Sequence, residues 1–330
     1  MKHAWVLTLA LWLGALALAG IALRQMPLGN ILHAAGQLSL QQVLVWAALN
    51  LAVMLLSAER WRQLLLALDT GVSLTRLLTN RLAGQTISFL TPGPQFGGEP
   101  LQVLWLVRRD RVPLSRALLS LGLDRLLELW VNFSVLLLGL LIVLGIAGGV
   151  LPQDRHTMIV VLVLLGLLSG ILLLLLRRPH GWLRPLRQWC QRWQHHPRLA
   201  NMDAHWEALD NDMKQLSGQS SWLLPRCLMI SLLIWSAILI ELWWLTLCAG
   251  IDIHPAGFAL LAVSIRLAML LPLPGGIGSI ETAVLWTAPL IGADLSPALA
   301  LLLLMRSRDL VLLLCGLAAL VAQWTRQGTD

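Results

Sequence analysis

The sequence predicts an all-α membrane protein that crosses the bilayer several times. Of its 330 residues, 57% are apolar and 12% are charged, whereas soluble domains are about 45–50% apolar and about 25% charged. The apolar residues form continuous Leu-rich runs, and a spanning helix needs about 20 such residues. A membrane β-barrel would instead show alternating segments of about 10 residues. These features exclude a wholly soluble enzyme, a nucleic-acid-binding module and a disulfide scaffold.

Eight apolar runs follow one another along the chain. Six of them predict full spans, at residues 4–23, 40–58, 114–147, 157–176, 222–249 and 296–322. The other two, 78–107 and 256–292, are interrupted by proline and glycine. Because non-helical backbone at membrane depth needs protein or water to satisfy its polar groups, we interpret these two runs as broken or re-entrant helical hairpins.

The first run could be mistaken for a secretory signal, since Lys2 precedes it and small residues lie near Ala19. Its apolar part, residues 4–23, is longer than the 7–15 residues of a typical signal core. We therefore interpret it as a retained first span.

The basic residues predict the orientation. Four of the 24 Lys and Arg residues are assigned to apolar runs: Arg125, Arg266, Arg306 and Arg308. With a cytoplasmic N-terminus, and with each hairpin returning to its own side, only Arg24 and Arg155 face outward, which leaves 18 of the 24 in the cytoplasm. Because cytoplasmic loops carry an excess of Lys and Arg, both termini are expected in the cytoplasm.

The longest polar stretch, about 177–221, is cytoplasmic in this topology. Within it, apolar residues fall on one face of a helix: Trp182, Leu183, Leu186, Trp189, Cys190 and Trp193. An amphipathic helix of this kind lies in the headgroup layer with its Trp rings at the interface. We interpret it as a structural anchor, with recruitment of lipid headgroups as the alternative.

The chain also repeats itself at a spacing of 182 residues. The segments TPGPQFGGEP (91–100) and LPGGIGSIET (273–282) each place Pro-Gly at the same interval before Glu, and the same spacing relates Glu59 to Glu241 and Trp61 to Trp243. Repeats at about 1–150 and about 157–330 of a single transmembrane domain would begin on opposite sides of the membrane. Such an inverted repeat brings discontinuous helices together near the midplane, around a substrate site. This symmetry favours a transporter.

Charged residues inside the runs are the candidate site. The run 114–147 contains Asp124, Arg125 and Glu128, and the last run contains a second group, Arg306, Arg308 and Asp309. A charge at the centre of a span costs about 2.5–3.5 kcal/mol on insertion scales, so these groups should face the interior. They either form structural ion pairs or line a polar path. Because guanidinium groups suit phosphate, a phospholipid or polyprenyl-phosphate headgroup is the expected ligand.

Glu99 and Glu281 have a competing interpretation as caps of the returning half-helices. Pro100 follows Glu99, and Pro is favoured at the first helical position. Glu281 would sit in a first turn, where a negative charge suits the helix dipole. Gln95 and Ser279 either bind a headgroup or satisfy the loop backbone.

Metal binding is not expected. The four cysteines are widely spaced, without a C-x-x-C pair, and His195 and His196 lie in a polar loop without a partner cluster.

The stretch SFLTPGPQFGGEP (88–100), followed downstream by LPLPGGIGSIE (271–281), resembles the flippase-like family related to the membrane domain of lysylphosphatidylglycerol synthase. The similarity extends in outline over the whole chain, in length, hydropathy and motif order. It implies an integral inner-membrane protein of the lipid-translocation type. It also implies importance for the residues that match the motifs: Pro92, Gly93, Gly97, Gly98, Glu99, Pro274, Gly275, Gly276, Gly278 and Glu281. The family's full-length synthases carry a soluble aminoacyl-transfer domain that these 330 residues do not show, so synthase activity is not expected.

We therefore expect a flippase-like transporter of the bacterial inner membrane, not an enzyme, with membrane lipids as partners and no cofactor, metal or nucleic acid. The headgroup would pass through a polar cavity at the repeat interface. The expected path residues are Gln95, Glu99, Asp124, Arg125, Glu128, Arg266, Glu281, Arg306, Arg308 and Asp309. Two alternatives remain open: a non-transporting partner of a lipid-modifying enzyme, and a membrane-embedded transferase acting on a lipid-linked sugar.

Overall fold

The computed structural model describes residues 39–91, 97–146, 155–177, 202–218, 220–271 and 273–327. Over these residues the chain forms ten α-helices, one 3₁₀ turn and no strands. The helices are α1 (Leu40–Leu66), α2 (Leu74–Leu90), α3 (Glu99–Arg108), α4 (Leu114–Ile146), α5 (Arg155–Arg177), α6 (Met202–Gly218), α7 (Ser220–Cys248), α8 (Pro255–Ala268), α9 (Ser279–Leu290) and α10 (Leu295–Gln327). The all-helical prediction is confirmed.

Four of the described helices are long and apolar enough to cross a membrane, at Leu40–Leu66, Leu114–Gly145, Ile159–Leu176 and Trp222–Cys248. The helix α10 is 33 residues long and carries three charged residues near its middle. Large apolar side chains point outward from the bundle, as at Leu164 and Leu174, which are 59% and 61% exposed. The chain is a multi-pass membrane protein. The expected first span, 4–23, lies outside the described residues, so the total of six spans stays a prediction.

Both interrupted runs are broken where proline and glycine predict a break. The helix α2 ends at Leu90 and α3 begins at Glu99, while α8 ends at Ala268 and α9 begins at Ser279 after the 3₁₀ turn Pro274–Gly276. The helices of each pair pack against each other, so each broken run is a helical hairpin. We call the segment between Leu90 and Glu99 the first elbow and the segment between Ala268 and Ser279 the second elbow. Pro92 and Gly93 of the first elbow lie outside the described residues.

The order of elements recurs at the spacing seen in the sequence. Shifting α1 by 182 residues gives 222–248, which lies within α7 (Ser220–Cys248). The helices α4 and α10, which follow the two hairpins, are each 33 residues long. In each half, the first helix of the hairpin packs against the long helix of the other half: α2 packs against α10, and α8 packs against α4. Among the described helices, α5 and α6 have no counterpart at this spacing.

The equivalent helices α1 and α7 pack in opposite directions. The Trp244 indole donates to the Gln42 carbonyl at 3.2 Å, and the Trp46 indole donates to Glu241 at 3.0 Å. Further along, Arg60 donates to Ser231 at 3.0 Å. Residue numbers thus rise on α1 as they fall on α7, which is the relation that two oppositely oriented halves require.

The helix α6 lies within the predicted amphipathic loop at about 177–221. Its Met213 and Leu216 are buried against Ala67, Leu68 and Leu119 at the ends of α1 and α4. Its Asp212 accepts hydrogen bonds from Ser115 and Arg116. This part of the loop therefore docks on the helix bundle, whereas the Trp-rich stretch from Trp182 to Trp193 lies outside the described residues.

Candidate functional site

A first cluster of charges lies where α1, α2 and α4 meet. Asp124 on α4 is fully buried. Its Oδ1 accepts from Arg60 Nε at 2.7 Å and its Oδ2 accepts from Arg81 Nη2 at 2.9 Å. Arg60 and Arg81 are themselves only 3% and 5% exposed. Each carboxylate oxygen thus receives one guanidinium group, which allows all three charges to be buried.

Glu128 extends the first cluster by one helical turn. Its Oε2 lies 2.8 Å from Arg125 Nη1 and 3.6 Å from both Arg60 and Arg81. Asp124 and Glu128 therefore share a helix face, as their spacing predicts. On the other side, Arg125 Nε lies 3.2 Å from Glu99 Oε1 at the start of α3. The first cluster consists of Arg60, Arg81, Glu99, Asp124, Arg125 and Glu128.

The assignment of Arg60 and Arg81 to the cytoplasm was wrong. The helix α1 continues past the apolar run 40–58 to Leu66, which carries Arg60 along the bundle interior to Asp124. Arg81 lies inside the run 78–107 itself. A signal was present in the sequence, because Arg125 is the only basic residue within one helical turn of Asp124 and Glu128. The number of basic residues predicted to be cytoplasmic falls from 18 to 16 of the 24.

A second cluster surrounds Arg306 on α10. Its Nε donates to Glu281 Oε1 at 2.7 Å, and its Nη1 donates to Asp309 at 3.0 Å. The same guanidinium donates to the carbonyls of Gly275 and Gly276 at 3.0 and 3.1 Å. Arg306 therefore joins the second elbow to both of its neighbouring carboxylates.

Glu241 on α7 completes the second cluster. It accepts from the Trp46 indole and the Asn50 amide, each at 3.0 Å, and from Arg308 Nη1 at 3.2 Å. Arg308 also donates to Asp309 at 2.9 Å. The second cluster consists of Glu241, Glu281, Arg306, Arg308 and Asp309. The sequence repeat singled out Glu241, but nothing in the sequence identified its partners on α1.

The glutamates of the two elbows cap a half-helix and form an ion pair at the same time. Glu99 Oε2 accepts from the Gly97 amide, and Glu281 Oε2 accepts from the Gly278 amide, both at 2.7 Å. Their other oxygens face Arg125 and Arg306. Ser279 donates to the Gly276 carbonyl at 3.1 Å, which satisfies loop backbone. Gln95 lies outside the described residues.

The second elbow approaches the end of α2 at Gly275 and Phe89. Gly275 has a φ of +57°, and a Cβ added there would overlap the ring of Phe89 near the end of α2. Both the backbone conformation and the close approach require glycine at this position. The interrupted hairpins thus meet inside the bundle.

A cavity of about 320 Å³ lies between the two clusters. Arg81, Arg125 and Glu128 line it from the first cluster, and Glu241, Arg308 and Asp309 line it from the second. Gly275 and Gly276 of the second elbow are also part of its wall. Among the described residues, no three His, Cys, Asp or Glu side chains are grouped to hold a metal ion. The cavity can therefore offer a ligand guanidinium and carboxylate groups from both halves.

An adjoining cavity of about 530 Å³ shares Arg125, Glu128 and Arg266 with the first, but its remaining wall is mostly apolar. Leu164 and Leu168 of α5 line one side, and Ile234 and Trp235 of α7 line the other. We call this adjoining cavity the lateral groove. Polar and apolar spaces thus meet at the same charged side chains.

The comparisons with known proteins agree with the resemblance seen in the motifs. The family model described as the lysylphosphatidylglycerol synthase TM region matches residues 5–316 of the chain. No curated protein and no solved structure matches it. The match covers both hairpins, both clusters and all ten described helices for most or all of their lengths.

Proposed function

The chain belongs to the family of the lysylphosphatidylglycerol synthase transmembrane region, and from this premise we propose that it is a flippase-like transporter of the bacterial inner membrane rather than an enzyme. The family name points to a role connected with membrane lipids. The proposed cargo is a lipid whose phosphate-bearing headgroup passes through the cavity between the two clusters. Its chains remain in the lipid phase.

The observation that carries this proposal is the charged cavity between the halves. Six charged side chains of the two clusters line it, although the surface of the bundle is rich in exposed leucine. Charged residues at membrane depth typically mark a substrate or ion pathway. Because the lining comes from both halves, a movement of one half relative to the other would change access to the cavity.

The elbow ion pairs supply a physical basis for alternating access. Glu99–Arg125 and Glu281–Arg306 each join a hairpin to the long helix that follows it. A phosphate in the cavity competes with Glu99 for Arg125, which lines the cavity, because both anions suit the same donor. At the second elbow it reaches Arg306 indirectly, by drawing Arg308 away from the Asp309 that both arginines share. Exchange of partners at one elbow and then at the other would release the headgroup on opposite sides.

A transport assay tests the role of the elbow glutamates. We expect the double substitution Glu99→Gln and Glu281→Gln to slow headgroup translocation in proteoliposomes by roughly tenfold or more, since 1.4 kcal/mol of lost interaction corresponds to a factor of ten in rate. Glutamine keeps an oxygen for the elbow amide but removes the charge that faces arginine. The measurement is dithionite quenching of a fluorescent phospholipid that has reached the outer leaflet.

Glu59→Gln is the matched control, because Glu59 pairs with Arg62 and Gln63 on its own helix and contacts neither elbow. Translocation by the control should stay within about twofold of the wild type, as expected for a partly exposed ion pair. A double variant that transports at the wild-type rate would remove the two glutamates from the mechanism. A covalent change in the lipid, seen by mass spectrometry, would instead favour the transferase alternative.

The proposed inverted arrangement has its own test. In a variant without native cysteines, we expect single cysteines at Gln95 and Ile277 to react with a membrane-impermeant maleimide from opposite sides of the membrane. The antiparallel packing of α1 and α7 motivates this expectation, because each elbow is entered from the side on which its own half begins. Labelling of both positions from the same side would contradict the inversion.

A further inference from the structure

Arg266 differs from the other guanidinium groups of the site. In the part of the chain that the structure describes, no carboxylate lies within ion-pair distance of it. Its contacts are the ring of Trp235, with 4.6 Å from Cζ to the ring centroid, and the Met269 sulfur at 3.8 Å. An arginine has five N–H donors, so most of the hydrogen-bonding capacity of Arg266 is unused by the protein.

Among the carboxylates of the two clusters, Glu128 is the most exposed, as Arg266 is the arginine of the site without a carboxylate partner among the described residues. Its side chain is 41% exposed, whereas the other five carboxylates of the two clusters are between 0% and 22% exposed. Its closest ion pairs, to Arg60, Arg81 and Arg125, are all made through Oε2. Both Glu128 and Arg266 line the cavity between the two clusters as well as the lateral groove. The two spaces therefore share one available cation and one accessible carboxylate.

The charges of the whole site balance. The two clusters together contain five arginines and six carboxylates, and Arg266 brings the arginines to six. A headgroup with an uncompensated negative charge would disturb this balance in a low-dielectric interior. A headgroup that carries one phosphate and one ammonium keeps the balance and pairs with the two side chains that are available.

The lateral groove places the lipid chains. Leu164 and Leu168 of α5 form its outer wall and are 59% and 39% exposed. Among the described helices, α5 packs closely only against α4, so the groove is open between α5 and the pair α7–α8. A groove that only faced bulk lipid would need no charged lining, whereas this one is lined by Arg60, Arg125, Glu128 and Arg266.

From these observations we propose that the site binds a zwitterionic phospholipid, with its phosphate on Arg266, its ammonium on Glu128 and an acyl chain in the lateral groove. The stacking of Arg266 on Trp235 holds the guanidinium plane for the phosphate and screens it on one face from lipid. This inference rests on the proposed function in taking the cavity as the lipid site. It narrows the cargo from phosphate-bearing lipids in general to those that also carry an amine.

Equilibrium binding to the purified full chain in mixed micelles tests the headgroup assignment without requiring transport. The competitors are phosphatidylethanolamine, phosphatidylglycerol and a polyprenyl phosphate, each displacing a tail-labelled fluorescent phosphatidylethanolamine. We expect phosphatidylethanolamine to bind at least about tenfold more tightly than the other two. Arg266→Gln should weaken both phospholipids by about tenfold or more, because a hydrogen bond to a charged group is lost. Glu128→Gln should weaken phosphatidylethanolamine alone.

The position of the acyl chain is tested by a separate experiment, with a matched control substitution on the same helix. Leu168→Trp fills the groove, whereas Leu167→Trp lies beside it at a lipid-exposed position that does not line the groove. We expect Leu168→Trp to weaken phosphatidylethanolamine but not water-soluble glycerophosphoethanolamine, and Leu167→Trp to change neither. Unchanged binding of the soluble headgroup also shows that the Leu168 variant is folded.

Each outcome decides one part of the proposal. Equal binding of phosphatidylglycerol and phosphatidylethanolamine, with no effect of Glu128→Gln, overturns the ammonium site. Tightest binding of the polyprenyl phosphate overturns the lipid class. Equal effects of Leu168→Trp and Leu167→Trp overturn the placement of the acyl chain in the lateral groove. If these binding results hold while no translocation is seen, the binding site stands and the transport function fails.

Discussion

Replacement of Asp124 by asparagine is expected to lower the free energy of unfolding by about 3–5 kcal/mol, the typical effect of removing one partner from a buried ion pair. Asp124 is fully buried and accepts from both Arg60 and Arg81. Without its charge, two guanidinium groups remain in the interior with only Glu128 nearby, 3.6 Å from each. The measurement is equilibrium unfolding in mixed detergent micelles, followed by tryptophan fluorescence.

A double variant separates charge imbalance from loss of packing. Adding Arg81→Gln to Asp124→Asn removes the excess positive charge, so the double variant should be more stable than the sum of the two single effects by about 0.5–3 kcal/mol, the usual coupling of residues in one network. Glu59→Gln serves as the control, since its partly exposed pair with Arg62 should contribute less than about 1 kcal/mol. An Asp124→Asn protein as stable as this control would show that the first cluster is solvated and does not brace α1, α2 and α4.

The places where the sequence predicts the architecture correctly are those where local chemistry decides the structure. Proline and glycine interrupt the two hairpins, because helix breakers act on their immediate neighbours. Asp124 and Glu128 share a face, because their spacing is one helical turn. The recurrence at 182 residues also anticipates the matched bounds of α1 and α7. The first two inferences need only one or two turns of chain, and the third needs only a comparison of the sequence with itself.

The partners of the charges could not be predicted, because they come from tertiary packing. The apolar run was ended just before the first charged residues, so Arg60 was assigned to the cytoplasm although α1 continues beyond it. Pairing with Asp124 removes the cost that hydropathy assigns to that arginine. Trp46 and Asn50 look like ordinary residues of a span, and only the packing of α1 on α7 brings them to Glu241.

The same reasoning explains why Arg266 could be singled out but not characterised from sequence. Its place in an apolar run identifies it as an intramembrane charge. Its stacking on Trp235 and its lack of a carboxylate partner among the described residues depend on the approach of α8 to α7. Whether an intramembrane charge serves structure or binding is decided by its partners, which no spacing rule reveals.

Both halves contain a branched ion-pair network at the hairpin, but the charge at its centre is opposite in sign. In the first half, Asp124 collects arginines from α1 and α2, whereas Glu99 has a single arginine at 3.2 Å. In the second half, Arg306 collects two carboxylates and two elbow carbonyls. The second elbow is therefore held more firmly than the described part of the first. On the proposed transport cycle, the first elbow would be the one that opens more readily.

Replacement of Arg306 by lysine is expected to lower the free energy of unfolding by about 1–3 kcal/mol, the cost of leaving a buried hydrogen-bonding group without its partner, and to reduce translocation to the background rate. The guanidinium fork reaches Glu281, Asp309 and the carbonyls of Gly275 and Gly276 at once, and the three donors of a lysine ammonium cannot reproduce that planar geometry. At least one buried oxygen would lose its partner, and the elbow that presses on Phe89 would lose its brace. Unfolding in mixed micelles and the dithionite assay measure the two effects.

Arg62→Lys is the appropriate comparison for Arg306→Lys, because Arg62 makes its ion pair with Glu59 along one helix face at 36% exposure. That substitution should change stability by less than about 1 kcal/mol and leave translocation intact. If Arg306→Lys behaves in the same way, charge alone suffices at the second elbow, and the fixed hydrogen-bond geometry has no part in holding it. A loss of translocation with unchanged stability would place Arg306 among the groups that exchange partners with the cargo, whereas a loss of both would identify it as the support on which the second hairpin depends.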